Sequence, residues 1–174
     1  MKQLADYIIT IPDFPKEGIL FRDITNVVEQ ADGLRLAIDG FIKELEDVDF
    51  DYVIGPEARG FIFGVPVAYA MGKGFIPVRK EGKLPGKTAS MSYELEYGIA
   101  TLEIHRRSIK PGDKVVIVDD LLATGGTTEA IIRLVEDLGG QVVRCCFLIE
   151  LKGLKGRDKL PGTSVRTLVA YEGA

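Results

Sequence analysis

The segment from residue 114 to residue 128 constrains the fold more than any other part of the chain. It opens with a continuous apolar run, Val115 to Val118, which is typical of a central parallel strand. Two carboxylates, Asp119 and Asp120, follow the run, and a Gly-rich turn and a helical pattern follow them. Because open α/β sheets bind ligands at the carboxyl ends of their strands, the segment predicts an α/β fold with a site at this edge.

The rest of the chain repeats the alternation of strand and helix. Further strands are predicted at 51–55, 74–78, 142–149 and 165–170, with Pro77 favouring an edge or a bulge in the second. Helices are predicted at about 32–46, at 60–71 and around 131–138. Two segments break the pattern: 10–25 is predicted to form an irregular cap, and 80–93 a mobile loop with few apolar anchors. Residues 93–104 are predicted to be strand-like.

Composition places the chain among ordinary globular domains. Its 174 residues, 46% hydrophobic and 28% charged, suit a single domain over 1–174. Lys and Arg number 22 and Asp and Glu number 26, a net charge of −4, so no nucleic-acid partner is expected. The longest uncharged stretch, Gly60 to Gly72, is too short for a membrane span and contains Pro66, so no membrane association is expected.

The two cysteines bear on the cellular compartment. Cys145 and Cys146 are adjacent in a strand-like segment, so their side chains are expected on opposite faces of the sheet, poorly placed to bridge each other. A reduced, cytoplasmic protein is therefore expected.

Several common site motifs are absent from the sequence. There is no G-x-G-x-x-G, and although Gly55 and Gly60 have the glycine spacing of a P-loop, Phe61 stands where its lysine belongs. No metal-binding spacing is present, and a single histidine leaves little room for a zinc site or a serine triad.

The turn after Asp120 has the chemistry of a phosphate cradle. Gly125 and Gly126 allow backbone N–H groups to converge, and the start of the following helix adds positive potential. Hydroxyl groups come from Thr124, Thr127 and Thr128. The alternative interpretation is a tight strand-to-helix turn capped by aspartates. For the whole segment, with its two carboxylates, the phosphate interpretation is favoured.

This segment resembles the ribose-5-phosphate and pyrophosphate motif of type I phosphoribosyltransferases, and others resemble the adenine phosphoribosyltransferase family. The matching segments are 14–15, 18–23, 55–61, 79–86, 95–98 and 102–104, within a match from about Tyr7 to Glu172. The resemblance implies the type I phosphoribosyltransferase fold: a central, mostly parallel sheet with helices on both faces and a small N-terminal hood, about residues 1–30. It also implies a mobile catalytic loop over about residues 80–98.

The activity that the resemblance implies is transfer of the phosphoribosyl group of PRPP to N9 of adenine, giving AMP and pyrophosphate, with Mg²⁺, in a homodimer. By the match, the 5′-phosphate is held by Ala123, Thr124, Gly125, Gly126 and Thr127. Asp119 and Asp120 would face the ribose hydroxyls, where negative charge suits a sugar that becomes cationic at C1. They would also meet magnesium directly or through water.

Three further groups are assigned by the same match. Pyrophosphate would be bound by Arg59, Arg79, Lys80 and Lys83, part of this cluster reaching across the dimer interface. Adenine would lie under Leu20, Phe21 and Arg22, with Phe21 stacking and the backbone of the other two reading the base edge. Glu96 is the candidate general acid at purine N7. The plainer alternatives are core packing for Phe21, a solvated loop for the basic cluster and, for Glu96, an exposed strand glutamate like Glu94.

Two rival functions stay open at this point. One is salvage of a 6-oxo purine, but related enzymes usually read O6 with a lysine that has no counterpart here. The other is a non-catalytic PRPP-sensing regulator. Such a regulator is expected to carry an added DNA-binding segment, for which this chain has no spare length. The presence of Glu96 also favours an enzyme.

Overall fold

The computed structural model describes residues 2–95 and 98–173. A small two-stranded sheet pairs β1 (Ile9–Pro12) with β2 (Leu20–Asp23). The main sheet consists of β3 (Tyr52–Pro56), β4 (Gly74–Lys80), β5 (Thr88–Leu95), β6 (Gly98–His105), β7 (Lys114–Leu122), β8 (Gln141–Leu151) and β9 (Val165–Tyr171). The helices are α1 (Thr25–Glu29), α2 (Ala31–Leu45), α3 (Arg59–Ala70) and α4 (Gly126–Asp137). In the part of the chain described, none of the helices has the length and apolar character needed to cross a membrane.

The seven-stranded sheet runs in the order β5-β6-β4-β3-β7-β8-β9. Strands β4, β3, β7, β8 and β9 are parallel, and β5 and β6 extend one side as an antiparallel hairpin. This mostly parallel sheet confirms the predicted fold class. The predicted strands and helices are all present, with their ends shifted by a few residues.

Strand β7 is buried on both faces, as its apolar run predicted. Val116 and Val118 pack in the core formed with α2 and α3, whereas Val115 and Ile117 pack in the core formed with α4 and β6. Alternate side chains of a strand point to opposite faces, so one continuous apolar run supplies both cores. The helices therefore cover both faces of the sheet.

Pro77 does not mark an edge strand. Strand β4 lies inside the sheet, with Pro77 opposite Gly55 of β3. On its other side β4 pairs with β6 only at Arg79 and Lys80, beyond the proline. The missing N–H of Pro77 therefore removes no hydrogen bond to β6, which is why the residue is tolerated there.

The predicted irregular cap over 10–25 contains regular structure. Strands β1 and β2 pair antiparallel from Ile9 opposite Asp23 to Pro12 opposite Leu20. Asp13 closes the intervening turn by accepting a hydrogen bond from the N–H of Gly18 at 2.7 Å. Every residue of β1 is exposed and no residue of β2 is fully buried, so neither strand shows an alternation of buried and exposed positions.

The prediction of a loop over 80–93 is wrong for its second half. Residues 88–95 form β5, which pairs with β6 from Thr88 opposite His105 to Leu95 opposite Gly98. One face of β5 packs on the core near α4 through Ala89, Met91 and Tyr93. A small residue, a methionine and a tyrosine give a weak apolar signal, which explains the error. The mobility of about 80–98 stays a prediction.

Candidate active site

The site lies where the crossover connections of the sheet diverge. Helix α3 leads from β3 to β4 on one side, and α4 leads from β7 to β8 on the other, although β3 and β7 are neighbours. The carboxyl ends of two such strands leave a crevice between the loops that follow them. Asp119 and Asp120 lie at this end of β7, as the sequence predicted.

A cavity of about 410 Å³ occupies this crevice. It brings together most of the residues predicted to hold PRPP: Arg59, Lys80, Asp119, Asp120, Ala123, Thr124, Gly125, Gly126 and Thr127. Neither Arg79 nor Lys83 is among its lining residues. The loop after β3, the phosphate-type turn after β7 and the end of β4 thus converge on one space.

The turn between β7 and α4 depends on Gly125. Its φ is +85°, in the left-handed region, and a Cβ at this position would collide with the carbonyl oxygen of Gly156. The carbonyl of Gly125 accepts the first hydrogen bond of α4, from the N–H of Glu129 at 2.9 Å. The first N–H groups of the helix have no partner within it, so they are available to an anion in the cavity.

The two aspartates of β7 differ in their surroundings. Both are buried, at 8% and 7% exposure, and the N–H of Asp120 donates to Oδ1 of Asp119 at 2.8 Å. Burial, together with the neighbouring charge of Asp120, raises the pKa of Asp119 well above its ordinary value. Oδ2 of Asp120 instead lies 2.8 Å from Nε of Arg59. A cationic ligand beside Asp119 would therefore relieve an unfavourable buried charge.

A second cavity, also of about 410 Å³, adjoins the first under the hood. The two cavities share Arg59, Asp120, Leu121 and Thr124 as lining residues. The remaining wall of the second is largely apolar, and the three predicted adenine-binding residues, Leu20, Phe21 and Arg22, are part of it. The ion pair between Arg59 and Asp120 thus belongs to both cavities.

The hood is held in place through its aromatic and basic side chains. Phe21 meets Phe14 edge to face, with ring centroids 5.1 Å apart. The guanidinium of Arg22 lies 3.8 Å from the ring centroid of Tyr171 in β9 and donates a hydrogen bond to Thr10. Because the side chain of Arg22 is occupied in this way, its predicted contact with the base is left to its backbone.

The second basic cluster is organised by Glu57. Arg79 pairs with this carboxylate through Nε at 3.1 Å, and the backbone N–H of Lys80 donates to it at 2.8 Å. Burial acts to raise the pKa of Glu57, but these two hydrogen bonds outweigh it and the pKa is lowered. Glu57 thus ties the loop after β3 to the end of β4 and places Lys80 at the cavity. Arg79 also donates to the carbonyl of Lys83 at 3.4 Å.

The β5–β6 hairpin reaches the site through Tyr93. Its hydroxyl lies 3.1 Å from the hydroxyl of Thr127 at the start of α4, and Tyr93 lines the first cavity. Glu96, the candidate general acid, lies outside the described residues. The described residues on either side of it, Leu95 and Gly98, are paired with each other.

Comparison with known proteins identifies the family. The model of the phosphoribosyl transferase domain matches residues 26–169. The chain is 58% identical over 173 residues to the adenine phosphoribosyltransferase of Lachnoclostridium phytofermentans, covering 99% of both chains. It is 59% identical over 173 residues to the adenine phosphoribosyltransferase of Agathobacter rectalis, again covering 99% of both chains. The chain belongs to the adenine phosphoribosyltransferase family.

Solved adenine phosphoribosyltransferases have the same fold. The Thermoanaerobacter pseudethanolicus structure superposes with a TM-score of 0.93 at 52% identity, covering 97% of this chain and 98% of that one. The Saccharomyces cerevisiae structure is a complex with an imino-altritol bisphosphate and adenine. It superposes with a TM-score of 0.91 at 44% identity, covering 95% of this chain and 96% of that one.

Seven residues that line this adenine phosphoribosyltransferase site have no site role predicted from the sequence: Pro56, Glu57, Ala58, Tyr93, Leu102, Leu121 and Leu122. Glu57 belongs to a matching segment but carries no hydroxyl or positive charge, so phosphate chemistry alone does not select it. The sequence predicts Tyr93 at the start of a strand-like segment, 93–104, whereas it lies five positions after the start of β5. Only the tertiary pairing of that strand brings it to α4.

Gly126→Val is expected to lower PRPP affinity by more than tenfold while the protein stays folded. A Cβ on Gly126 would make only ordinary contacts, at 3.5 Å to Cδ2 of Tyr93 and 3.9 Å to Nζ of Lys159. The valine methyl groups would then enter the space that the phosphate needs. Isothermal titration calorimetry with PRPP measures the loss, and thermal unfolding checks the fold.

Gly125→Ala serves as the contrasting variant. Its left-handed φ and the collision with Gly156 predict lower stability as well as weaker binding. PRPP affinity of Gly126→Val within twofold of the unmodified protein would show that the turn has a structural role only.

Proposed function

We propose that the chain transfers the 5-phosphoribosyl group of PRPP to N9 of adenine, producing AMP and pyrophosphate. The observation that carries this proposal is the pair of adjoining cavities, one with a phosphate-type turn and two carboxylates, the other largely apolar under an aromatic hood. Their shared wall, at Arg59 and Asp120, is where C1 of the ribose would meet the base. Relatives with near-full-length matches bear the name of this activity.

The phosphate turn anchors the ribose end of PRPP. The backbone from Ala123 to Thr127 and the N-terminus of α4 bind the 5′-phosphate, whose negative charge suits the positive end of the helix. This contact fixes the sugar relative to Asp119 and Asp120, which face its hydroxyl groups. Binding energy from this remote group thereby orients the reacting carbon.

The two aspartates stabilise the sugar as the bond to pyrophosphate breaks. Positive charge develops at C1 and the ring oxygen of ribose in the transition state, and buried carboxylates interact with it more strongly than water would. On the other side of the reacting carbon, Arg59 and Lys80 bind the departing pyrophosphate as cations. The charges of the site are therefore matched to those of the separating groups.

The hood supplies the acceptor base. Phe21 stacks on the purine, while backbone groups of Leu20 and Arg22 read its edge. Adenine attacks C1 through N9, and Glu96 controls the proton at N7 as the general acid. In this proposal the segment from about 80 to 98 closes over the bound substrates and excludes water from the reacting carbon.

Magnesium is the metal that this site would hold. Of the described residues, no three or more His, Cys, Asp or Glu side chains form a cluster that could hold a metal ion. Mg²⁺ commonly takes one or two carboxylates and completes its shell with substrate oxygens and water, which fits Asp119, Asp120 and PRPP. When bound, the ion supplies charge neutralisation for the pyrophosphate group.

We also propose a homodimer that completes the pyrophosphate site. Ile62, Val65 and Tyr69 expose 37%, 47% and 88% of their surfaces along one face of α3, the helix that begins at Arg59. An exposed apolar stripe of this kind is typical of a subunit interface. Arg79 and Lys83 do not line the cavity of their own chain, so their predicted pyrophosphate contacts would be made in the partner's site.

Tyr69→Asp is expected to shift the protein from dimer to monomer, because an aspartate at the most exposed position of the stripe would place a charge in the interface. Sedimentation velocity at micromolar concentration measures the mass. Tyr171→Asp is unsuitable as a control because Arg22 packs on that ring, so the matched control is Leu36→Asp, an exposed apolar residue on α2. A dimeric Tyr69→Asp protein, or a monomeric Leu36→Asp one, would contradict this interface.

A cytoplasmic location is proposed from the cysteines. Cys145 and Cys146 are free, buried thiols on opposite faces of β8, as predicted. Burial raises the pKa of Cys146 to about 12 and that of Cys145 further. Such thiols stabilise the core as small apolar groups and suit a reducing compartment.

A direct assay tests the proposed reaction against its rivals. PRPP consumption is measured with adenine, hypoxanthine, guanine and xanthine side by side. Adenine is expected to have the highest kcat/KM by at least about tenfold, which is about 1.4 kcal/mol in transition-state binding. A higher kcat/KM with a 6-oxo purine than with adenine would contradict the choice of base. Binding of PRPP without turnover of any base would favour a non-catalytic PRPP-sensing regulator.

A further inference from the structure

A short segment after β8 forms a second wall of the phosphate turn. This segment, the 3₁₀ turn Gly156–Lys159, lies so close that a Cβ on Gly125 would collide with the carbonyl oxygen of Gly156. A Cβ on Gly156 would in turn collide with the carbonyl oxygen of Ala123. The two backbones are thus in van der Waals contact, although some thirty residues separate them in sequence.

An ion pair with a buried carboxylate fixes the position of this wall. Arg157 binds Glu150 with two hydrogen bonds, Nε to Oε1 at 2.7 Å and Nη2 to Oε2 at 2.8 Å. Glu150 is only 4% exposed and also accepts from the hydroxyl of Thr167 at 3.1 Å. The pair of hydrogen bonds from one guanidinium to one carboxylate restricts both distance and orientation. The segment is therefore held rigidly at the phosphate turn.

The ammonium group of Lys159 stands at the first residue of α4. Its Nζ lies 3.9 Å from the position that a Cβ on Gly126 would occupy. Among residues 2–95 and 98–173, no hydrogen bond or ion pair is found for the ammonium group of Lys159. A cation at the positive end of a twelve-residue helix is unfavourable by itself, because the helix dipole repels it. An anion bound between the two would turn this repulsion into attraction.

We propose that Lys159 is a further phosphate-binding residue that contacts the 5′-phosphate of PRPP and AMP. This inference rests on the proposed function, which places a phosphate monoester at the N-terminus of α4. The backbone N–H groups of the turn bind the phosphate from one side, and the ammonium closes it from the other. The dianionic phosphate then lies between two positive groups instead of leaving them to repel each other. Arg157 and Glu150 are positioning residues in this arrangement, since they act through the segment that carries Lys159.

Comparing AMP with adenosine isolates the contact, because the two ligands differ only in the 5′-phosphate. Isothermal titration calorimetry is carried out with the unmodified protein and with Lys159→Gln, Lys159→Arg and Lys155→Asn. We expect Lys159→Gln to weaken AMP binding by about tenfold and adenosine binding by less than twofold. Lys159→Arg is expected to keep AMP affinity within about threefold, because it retains the positive charge.

Lys155→Asn is the matched control. It removes one positive charge from the residue directly before the segment, and asparagine tolerates the left-handed conformation of Lys155, whose φ is +53°. AMP affinity of Lys159→Gln within twofold of the unmodified protein, or an equal loss for adenosine, would overturn the role of Lys159 alone. An unmodified protein that binds AMP no better than adenosine would instead contradict the proposed function.

Discussion

Asp120→Asn is expected to lower kcat/KM for PRPP and adenine by about 10²–10³, or about 2.7–4 kcal/mol of transition-state stabilisation. Asparagine keeps the size of the side chain but removes the negative charge that would face the developing cation of the ribose. The fold should survive, because Arg59 is 47% exposed through its side chain and regains hydration when its ion pair is lost. Initial rates at subsaturating substrate concentrations give kcat/KM.

Ligand affinities distinguish the effect of the charge of Asp120 from the effect of its shape. A cationic imino-sugar phosphate resembles the transition state, so its affinity should fall with kcat/KM, whereas the affinity for AMP should change by only a few fold. Asp137→Asn, at the exposed end of α4, removes a carboxylate outside the site and should change neither quantity. If Asp120→Asn loses AMP and imino-sugar affinity equally, the residue positions ligands and does not stabilise the cation.

The sequence predicted the elements that have strong local signals. The apolar run of β7 requires burial on both faces, and the residues after it have the polarity and flexibility of an anion-binding turn. Once β3 and β7 are recognised as parallel strands, the site must lie beyond their carboxyl ends. The cavity that joins Arg59 to the phosphate turn therefore follows from local pattern and general topology.

The elements that the sequence did not predict depend on tertiary contacts. Strands β1 and β5 bury too little apolar surface to show an alternating pattern, so the sequence predicts irregular structure for residues 10–25 and for the second half of 80–93. The second wall of the phosphate turn has no local signal, because Gly156 and Lys159 reach α4 only through the path of the chain after β8. Resemblance to a family supplies roles for individual motifs, but not such contacts between distant segments.

Glu96→Gln is expected to lower the single-turnover rate with PRPP and adenine by about 10²–10⁴, the usual contribution of a positioned proton-transfer group. This corresponds to roughly 2.7–5.4 kcal/mol of barrier. Glutamine retains the size and hydrogen-bonding reach of glutamate but cannot exchange a proton with purine N7. Substrate affinities should therefore stay within a few fold, which equilibrium titration with each substrate checks.

The matched control is Glu94→Gln, which changes an exposed glutamate of β5 opposite Ile99. Side chains alternate along a strand, so Glu94 lies on the face away from Tyr93 and the phosphate turn. The single-turnover rate of Glu94→Gln should therefore be unchanged. A single-turnover measurement is needed because slow product release would mask a change in the chemical step. A Glu96→Gln rate within threefold of the unmodified protein would remove Glu96 from proton transfer. The segment from about 80 to 98 would then act only by excluding water from the reacting carbon and by adding the charge of its lysines.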